Sequence, residues 1–389
     1  MMTQTQINPI CLAELDLEPI LGLLSIVRMP AAKLPELIVK IHANPDTAIL
    51  CMQMFYVLLA LGDRPFALDM QAQALQQQRL YRIAGTAAPT LRLLALMGPG
   101  DMLDNTPLEF LLEHSDIRLD LLFLVPGQPL PAVVPDHDVA MVAIGESGSN
   151  APLLQDLTGL LASWPRPVLN RPQNVLHCAR HTVYQLLKDV AGLHMPVTER
   201  RQRQQLNDLR WPVTIRPVDT QGGHGLAKLE EEAELHAYLA AHHASEFYVA
   251  QYLDYRSADG WFRKMRIALI DGTPYLCHLA ISSHWMVHYH GAAMDQSAPK
   301  RAEEAALMAS FDHDFAVRHG AALGAISTRL GLDYVVLDCA QAADGGLLLF
   351  EADSRGWIHA TDPVDIFPYK AAVMQKAFAA FRAMLRRRC

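Results

Sequence analysis

The sequence predicts a mixed α/β chain with a helical region at 1–90, an α/β domain at 91–174 and a strand-rich α+β domain at 175–389. Between residues 91 and 174, short apolar runs alternate with helical patterns, which is typical of an open parallel sheet. The segment 332–356 instead contains two apolar runs joined by a tight turn, which predicts an antiparallel hairpin. The two patterns together predict a parallel sheet followed by an antiparallel one.

The composition indicates a compact globular protein. The chain has 389 residues, of which 51% are hydrophobic and 19% are charged. This length is sufficient for two or three domains with a sizeable core, and the balance is not that of a disordered chain. The net charge of −8 argues against binding nucleic acid through bulk electrostatics, so no nucleic-acid partner is expected.

A cytoplasmic location and no membrane partner are expected. The six cysteines show no C-x-x-C spacing, which predicts reduced thiols and neither a disulfide framework nor a zinc site. Residues 1–15 lack the charged and apolar regions of a signal peptide. The most apolar run, 48–62, is too short to span a membrane and includes Gln53. The oligomeric state cannot be derived from the sequence, although a homodimer is a fair default.

The N-terminal region predicts a helical hairpin. Helices are expected over Ala48–Leu61 and Phe66–Tyr81, separated by a turn at 62–65. The pattern resembles a single tetratricopeptide unit, but solenoids normally need three or more repeats. An ordinary hairpin packed on the next domain is therefore the preferred interpretation. A docking surface for a protein or peptide partner is the alternative.

In the α/β domain, Leu91–Met97 reads as a buried strand. Thr106 is expected to cap the next helix, with Pro107 at its first position. Ligands of open α/β sheets usually bind in loops at the carboxyl ends of strands. On this basis the candidate substrate loops are Gly98–Asp101, Gly145–Asn150 and Asn170–Asn174.

The hairpin at 332–356 predicts a convergence of carboxylates. If Asp344 and Gly345 form a two-residue type I′ turn, Asp338 lies opposite Glu351, and Asp353 shares the face of Glu351. Like charges opposite one another destabilise a sheet, so a positive group is expected between them. Oxygen ligands suit Mg²⁺. The alternative is that one or two of these acids point into water at the strand end.

A glycine-rich loop and nearby cations form a second pattern. Residues 221–225 (QGGHG) join two predicted strands and match neither G-x-G-x-x-G nor a Walker A motif. Its glycines would still let backbone N–H groups approach phosphates, although a flexible turn is the alternative. Arg216 precedes the loop, and Lys264 and Arg266 alternate onto one face of a later strand.

The order of these motifs resembles the ATP-grasp superfamily over roughly residues 175–370. The resemblance implies an ATP-grasp fold preceded by an open parallel α/β domain. It also implies ATP and Mg²⁺ as cofactors, with ligation of a carboxylate to an amine through an acyl phosphate. The substrates would be a small amino acid, a peptide or a biosynthetic intermediate.

The resemblance also implies roles for single residues. Asp338 and Glu351 match the metal-binding carboxylates, and Asp353 stands where the family usually has Asn. Arg266, with Lys264 beside it, matches the arginine that contacts the transferred phosphate. The residues matching nucleotide-contacting positions are Arg216 (often Lys in the family), Gly222, Gly223, His224, Gly225 and Lys228. Gln251, Tyr252 and Leu253 match the hinge segment between the two lobes of the family, whose backbone holds the adenine.

Other candidates stay open at this point. Arg355 could bind a carboxylate of the second substrate or pair with one of the acids. The histidines at 278, 284, 288 and 290 lack the spacing of a zinc site, so substrate contact or packing is favoured over a metal. Two other functions remain: an ATP-binding scaffold whose catalysis is lost, and a phosphotransferase acting on a non-carboxylate acceptor.

Overall fold

The computed structural model describes residues 10–44, 46–85 and 88–389. Residues 1–9, which make up most of the stretch examined for a signal peptide, lie outside the described part, as do Thr86 and Ala87. The chain divides into two compact units. The first comprises 1–145, 153–173 and 378–389, and the second comprises 146–152 and 174–377. The predicted three-part division stays a prediction.

The first unit is built on a six-stranded sheet in the order β2-β3-β5-β4-β7-β8. The strands of this unit are β1 (Cys11–Ala13), β2 (Pro19–Ile20), β3 (Leu80–Ile83), β4 (Leu91–Met97), β5 (Ile117–Phe123), β6 (Val133–Pro135), β7 (Val139–Val142) and β8 (Val168–Leu169). Of these, β1 and β6 pair with each other in a separate two-stranded sheet. The helices up to this point of the chain are α1 (Leu23–Val27), α2 (Leu34–His42), α3 (Thr47–Ala60), α4 (Arg64–Gln77), α5 (Leu108–Leu111) and α6 (Ala151–Leu160). The pairs β5·β4, β4·β7 and β7·β8 are parallel, so the predicted parallel α/β sheet is confirmed.

Two expectations about the first unit are wrong. The region before residue 90 is not purely helical, because α4 ends at Gln77 and Tyr81 lies in β3, fully buried and paired antiparallel with Leu121. Burial against the sheet therefore overrides the helical pattern. The other error concerns α5, which begins at Leu108, one residue later than predicted. There the backbone N–H of Thr106 donates to Ala143 O at the end of β7.

The helical hairpin of α3 and α4 is confirmed, and side-chain caps account for both helix starts. Asp46 accepts hydrogen bonds from the N–H groups of Ala48 and Ile49, and Asp63 accepts one from Phe66. Each cap satisfies donors that a first helical turn leaves unpaired. Among the described residues, no helix is both long enough and apolar enough to cross a membrane.

His137 occupies a fully buried position between β6 and β7. Its Nδ1 lies 2.7 Å from Pro135 O, and its Nε2 lies 3.0 Å from Trp164 Nε1. The indole N–H can only donate, so Nε2 accepts and the ring is neutral. Burial lowers the pKa of His137.

We expect stability to fall as the pH is lowered below about 6.5, in part because of His137. The unfolded chain protonates this imidazole at its ordinary pKa, whereas the folded chain resists protonation. The contribution is therefore present above the unfolded pKa and is lost as the pH falls. Denaturant unfolding at about pH 7.5 and about pH 5.5 measures it. His137→Gln should lose less stability on acidification than wild type, and the exposed control His236→Gln should match wild type. Equal losses in all three would contradict the assignment.

The second unit contains two antiparallel-rich sheets. Its strands are β9 (Leu193–His194), β10 (Thr198–Gln202), β11 (Val213–Pro217), β12 (Ala227–Leu229), β13 (Glu246–Gln251), β14 (Phe262–Ile270), β15 (Thr273–Ser282), β16 (Tyr334–Gln341) and β17 (Leu347–Asp353). The remaining helices of the chain are α7 (Pro172–Val175), α8 (Arg180–Leu187), α9 (Glu232–Ala241), α10 (Ala298–Ser310), α11 (Phe315–Arg318), α12 (Gly320–Leu330) and α13 (Lys370–Arg387). The sheets run β10-β13-β11-β12 and β15-β14-β16-β17-β9. The predicted mixed α/β class is confirmed.

Candidate functional site

Four polar residues form a row across neighbouring strands of the five-stranded sheet. His278 on β15 pairs with Arg266 on β14, Arg266 pairs with Asp338 on β16, and Asp338 pairs with Glu351 on β17. We call these four residues the polar row. The register of β15 against β14 shifts next to Arg266, and that of β16 against β17 shifts next to Asp338. Such bulges re-aim side chains and are common beside active sites.

The predicted pairing of Asp338 with Glu351 is confirmed, but the predicted turn is wrong. Ala342 and Gly346 close a three-residue loop, with a hydrogen bond of 2.9 Å from Ala342 N to Gly346 O. Gly345, at φ 88°, is the residue in the left-handed conformation, as expected of a type I turn with a G1 bulge. The loop shifts the register by one residue, and Phe350, the extra residue of the bulge, shifts it back.

Asp338 is held by both cations predicted on β14. Lys264 Nζ lies 2.9 Å from Oδ2, and Arg266 Nε lies 2.8 Å from Oδ1. A third bond of 3.1 Å joins Arg266 Nη2 to Oδ2. Burial alone would raise the pKa of Asp338, but Arg266 and Lys264 outweigh it and hold the pKa well below its usual range. The carboxylate is thus ionised and surrounded by donors.

The other two acids are also paired with arginines. Arg180, at the start of α8, donates from Nη2 to Glu351 Oε1 at 2.5 Å. Burial opposes ionisation of Glu351, yet Arg180 lowers its pKa. Arg355 donates from its backbone N–H to Asp353 Oδ1 at 3.0 Å and from Nε to Oδ2 at 3.2 Å. Arg355 therefore adopts the pairing that the sequence left as one of two alternatives.

These ion pairs occupy the three carboxylates of the predicted magnesium site. The three acids offer the oxygen ligands that Mg²⁺ prefers. However, the described residues contain no group of three or more His, Cys, Asp or Glu side chains arranged to hold a metal ion. Since each carboxylate already bonds to a cation, the residues do not fit the ion as they are arranged. A metal bound here would have to displace those cations.

The glycine-rich loop follows β11, and Gly222, Gly223 and Gly225 adopt φ of 59°, 79° and 66°. These left-handed conformations favour glycine. Arg216, at 7% exposure, donates from Nε to Thr220 Oγ1 at 3.1 Å and from Nη2 to Thr220 O. Burial, helped by Arg180, lowers the pKa of Arg216 to about 10. Through these bonds to Thr220, Arg216 stabilises the start of the loop.

The other residues that were predicted to bind the nucleotide lie in the glycine-rich loop, on β12 and at the end of β13. Lys228 Nζ lies 4.0 Å from the ring centroid of Tyr252 and 2.6 Å from Glu230 Oε1. The Tyr252 ring meets Trp285 edge-on, with centroids 5.8 Å apart. Gln251 ends β13, and Leu253 follows. His224 is exposed at the loop tip, with Nδ1 2.8 Å from Gln221 O.

A cavity of about 360 Å³, part of it open to solvent, lies beside the acids in the second unit. Its lining residues are Glu146, Ser147, Cys178, Arg180, Asp219, Thr220, Gln221, Tyr248, Glu351, Ala352, Asp353 and Arg355. Of these, Glu351, Asp353 and Arg355 were predicted. Burial, helped by Asp219 and Asp353, raises the pKa of Glu146 to about 7. The cavity is therefore lined mainly by charged and polar groups.

One of the predicted substrate loops, Gly145–Asn150, contributes to this cavity. Gly148 N–H donates to Asp219 Oδ1 at 2.6 Å, just before the glycine-rich loop. A side chain at position 148 would press on that carboxylate, since its Cβ would lie 2.8 Å from Oδ2. By contrast, Gly98–Asp101 is bonded to α4 of its own unit, through Gln71 and Arg64.

His288, from the histidine-rich stretch, lies against the glycine-rich loop. A Cβ added at Gly223 would overlap its Nε2. This Nε2 is buried and has no hydrogen-bond partner. Burial and the charge of Lys264 lower the pKa of His288. The sequence offered no sign that this histidine, among its neighbours, would reach the loop.

Comparisons with known proteins give a likeness of fold. No protein-family model and no curated protein matches the chain significantly. Among solved structures, VanG D-Ala:D-Ser ligase from Enterococcus faecalis is 11% identical, with 75% of this chain and 99% of that chain covered and a TM-score of 0.46. A RimK domain protein ATP-grasp from Sphaerobacter thermophilus is 17% identical, with 74% and 98% covered and a TM-score of 0.42.

D-alanine–D-alanine ligase from Bacillus anthracis, complexed with ATP, is 12% identical, with 77% of this chain and 100% of that chain covered and a TM-score of 0.42. At these identities and scores, the chemistry of this chain must be argued from its own side chains.

Proposed function

We propose that the chain is an ATP-dependent ligase that joins a carboxylate to an amine through an acyl phosphate. The observation that carries the proposal is the polar row, in which Arg266, Asp338 and Glu351 lie side by side on three paired strands. Lys264 and Arg180 add two further cations to it. Burying charged residues in a sheet costs free energy, and the binding of an anionic substrate would explain why this sheet contains them.

The residue types suit phosphoryl transfer. A carboxylate oxygen of the substrate attacks the γ-phosphorus of ATP and ADP leaves; an amine then attacks the acyl carbon and phosphate leaves. Such transfer depends mainly on positioning and on neutralising charge. Arg266 and Lys264 would neutralise the transferred group, while Gly222, Gly223 and Gly225 would bring backbone N–H groups to the phosphates.

The other predicted roles remain part of the proposal. Tyr252, with Gln251 and Leu253, would hold the adenine, and Arg355 would meet the second substrate at the cavity wall. The substrates would be a small amino acid, a peptide or a biosynthetic intermediate. Mg²⁺ at Asp338, Glu351 and Asp353 is proposed only for a state in which their cations have turned away, so no step is derived through it.

A second candidate is an ATP-binding scaffold without turnover. The favouring observation is that Asp338, Glu351 and Asp353 are all already paired with cations. Such a site could bind a nucleotide and still fail to bind the Mg²⁺ ion that phosphoryl transfer would need. In this case the helices α3 and α4 would be the place to look for a partner protein or peptide.

Thermal unfolding with a non-hydrolysable ATP analogue tests whether the chain has a nucleotide site, which both candidate functions require. We expect the analogue with Mg²⁺ to raise the melting temperature, because a ligand that binds only the folded state stabilises it. The rise should shrink in Asp338→Asn and persist in Asp259→Asn, a surface carboxylate paired with Arg263. No rise at saturating analogue would overturn the proposal. A rise without ADP release from any carboxylate and amine pair would favour the scaffold.

A further inference from the structure

The His288 side chain has a polar atom that the protein leaves unused. Its Nε2 is buried and lacks a hydrogen-bond partner, although leaving a buried polar group without one is destabilising. The preceding residue, Val287, is buried and apolar. An apolar side chain of similar size at 288 would avoid the cost. The polar atom is therefore explained best by a partner that arrives with a ligand.

The charges around His288 indicate an anionic partner. The charged groups that act on its ring are Lys264, Asp338, Arg216 and Arg266. Three of these are cations, and the single carboxylate is already bonded to two of them. The surroundings are therefore positive overall, which favours an anion and disfavours a metal ion or an ammonium group.

The contact with Gly223 gives the position of that anion. His288 Nε2 occupies the space in which a side chain at 223 would lie, and Gly223 belongs to the loop proposed to cover the phosphates. An anion that reaches Nε2 would thus also be close to the backbone of this loop. Lys264 and Arg266, which are among the charged groups that act on the His288 ring, both lie on β14.

We propose that His288 donates a hydrogen bond from Nε2 to the phosphoryl group during its transfer, so that it is a catalytic residue of the ligase. The inference rests on the proposed function and adds a residue to it. During the step, the bond from the γ-phosphorus to the ADP oxygen breaks and the bond to the substrate carboxylate oxygen forms. His288 keeps its proton throughout, and it stabilises charge on the equatorial oxygens.

The inference predicts that His288→Leu lowers kcat by about 100-fold, the usual effect of losing one such donor. His288→Gln, whose amide N–H can reach a similar position, should recover part of that loss. His284→Leu is the control, because His284 is exposed on the same segment. Turnover is measured as ADP release with saturating substrates, alongside KM for ATP and the melting temperature.

Binding gives a readout that a packing role would not move. Only ATP carries the γ-phosphoryl group, so His288→Leu should weaken binding of a non-hydrolysable ATP analogue while leaving ADP affinity unchanged. Equal weakening of both nucleotides, or kcat equal to wild type, would overturn the inference.

The outcomes also distinguish this inference from the function on which it rests. If wild type binds no nucleotide, both fail together. If wild type binds the ATP analogue but releases no ADP, no phosphoryl group is transferred, and the catalytic role of His288 fails together with the ligase proposal. If wild type turns over ATP and His288→Leu does so equally well, the ligase proposal stands and the inference is wrong.

Discussion

Arg266→Ala should reduce ATP turnover by about 1,000-fold while changing ATP affinity much less. Arg266 lies at the centre of the polar row and bonds to Asp338 through Nε and Nη2. A cation whose contact tightens as charge develops on the transferred group contributes mainly to kcat. The variant should also lose up to about 3 kcal/mol of stability, since it breaks a largely buried pair, although Lys264 still bonds to Asp338.

Two further variants distinguish an effect on catalysis from an effect on folding. Arg263→Ala removes another arginine of β14, one paired at the surface with Asp259 and Glu303, and should leave turnover near wild type. Arg266→Lys keeps the charge but not the two-pronged contact, so it should fall between wild type and alanine. Equal losses in kcat/KM and in ATP affinity would place Arg266 in ground-state binding instead.

Glu351→Gln should abolish measurable turnover while leaving the fold intact. Glutamine keeps the shape of the side chain and can still accept a hydrogen bond from Arg180, so the melting temperature should stay within about 5 °C of wild type. The loss of charge removes the counter-ion of Arg180 and one carboxylate of the proposed metal set. Either effect should cost at least about 100-fold in rate.

Glu303→Gln is the matched control for this variant. Glu303 also pairs with an arginine, Arg263, at 2.5 Å, but at 41% side-chain exposure. Turnover of this control should equal that of wild type, because an exposed pair contributes little. Turnover retained in Glu351→Gln would remove Glu351 from the catalytic machinery, whereas turnover lost in both variants would indicate a general effect of removing charge.

The parts of the site that local patterns determine could be predicted from the sequence. Lys264 and Arg266 share a face because strand side chains alternate. The pairing of Asp338 with Glu351 was predicted from a turn that does not form, and the result holds because the bulge at Phe350 offsets the longer loop. The correct pairing was thus reached through two local errors that cancel.

Tertiary contacts could not be predicted in this way. Arg180, Glu146 and Asp219 come from three separate segments. Only Glu146 lies in a predicted substrate loop, and no local pattern indicates which groups these side chains contact. Whether Arg180 at the start of α8 faces solvent or reaches Glu351 depends on how the helix packs on the sheet. The same holds for His288, because the sequence gave no reason to prefer it to the nearby histidines at 278, 284 and 290. Only the folded chain brings these groups together.

The bulge at Phe350 separates the hairpin into two parts with different strand registers. Between the bulge and the strand end, the register is the one that pairs Asp338 with Glu351 and Val336 with Asp353. Between the bulge and the tip, it follows the loop at 342–346. Insertions or deletions at the tip could therefore accumulate over evolution without moving the acids. A deletion of Phe350 alone would force the tip to reorganise, because the two halves would have to share one register.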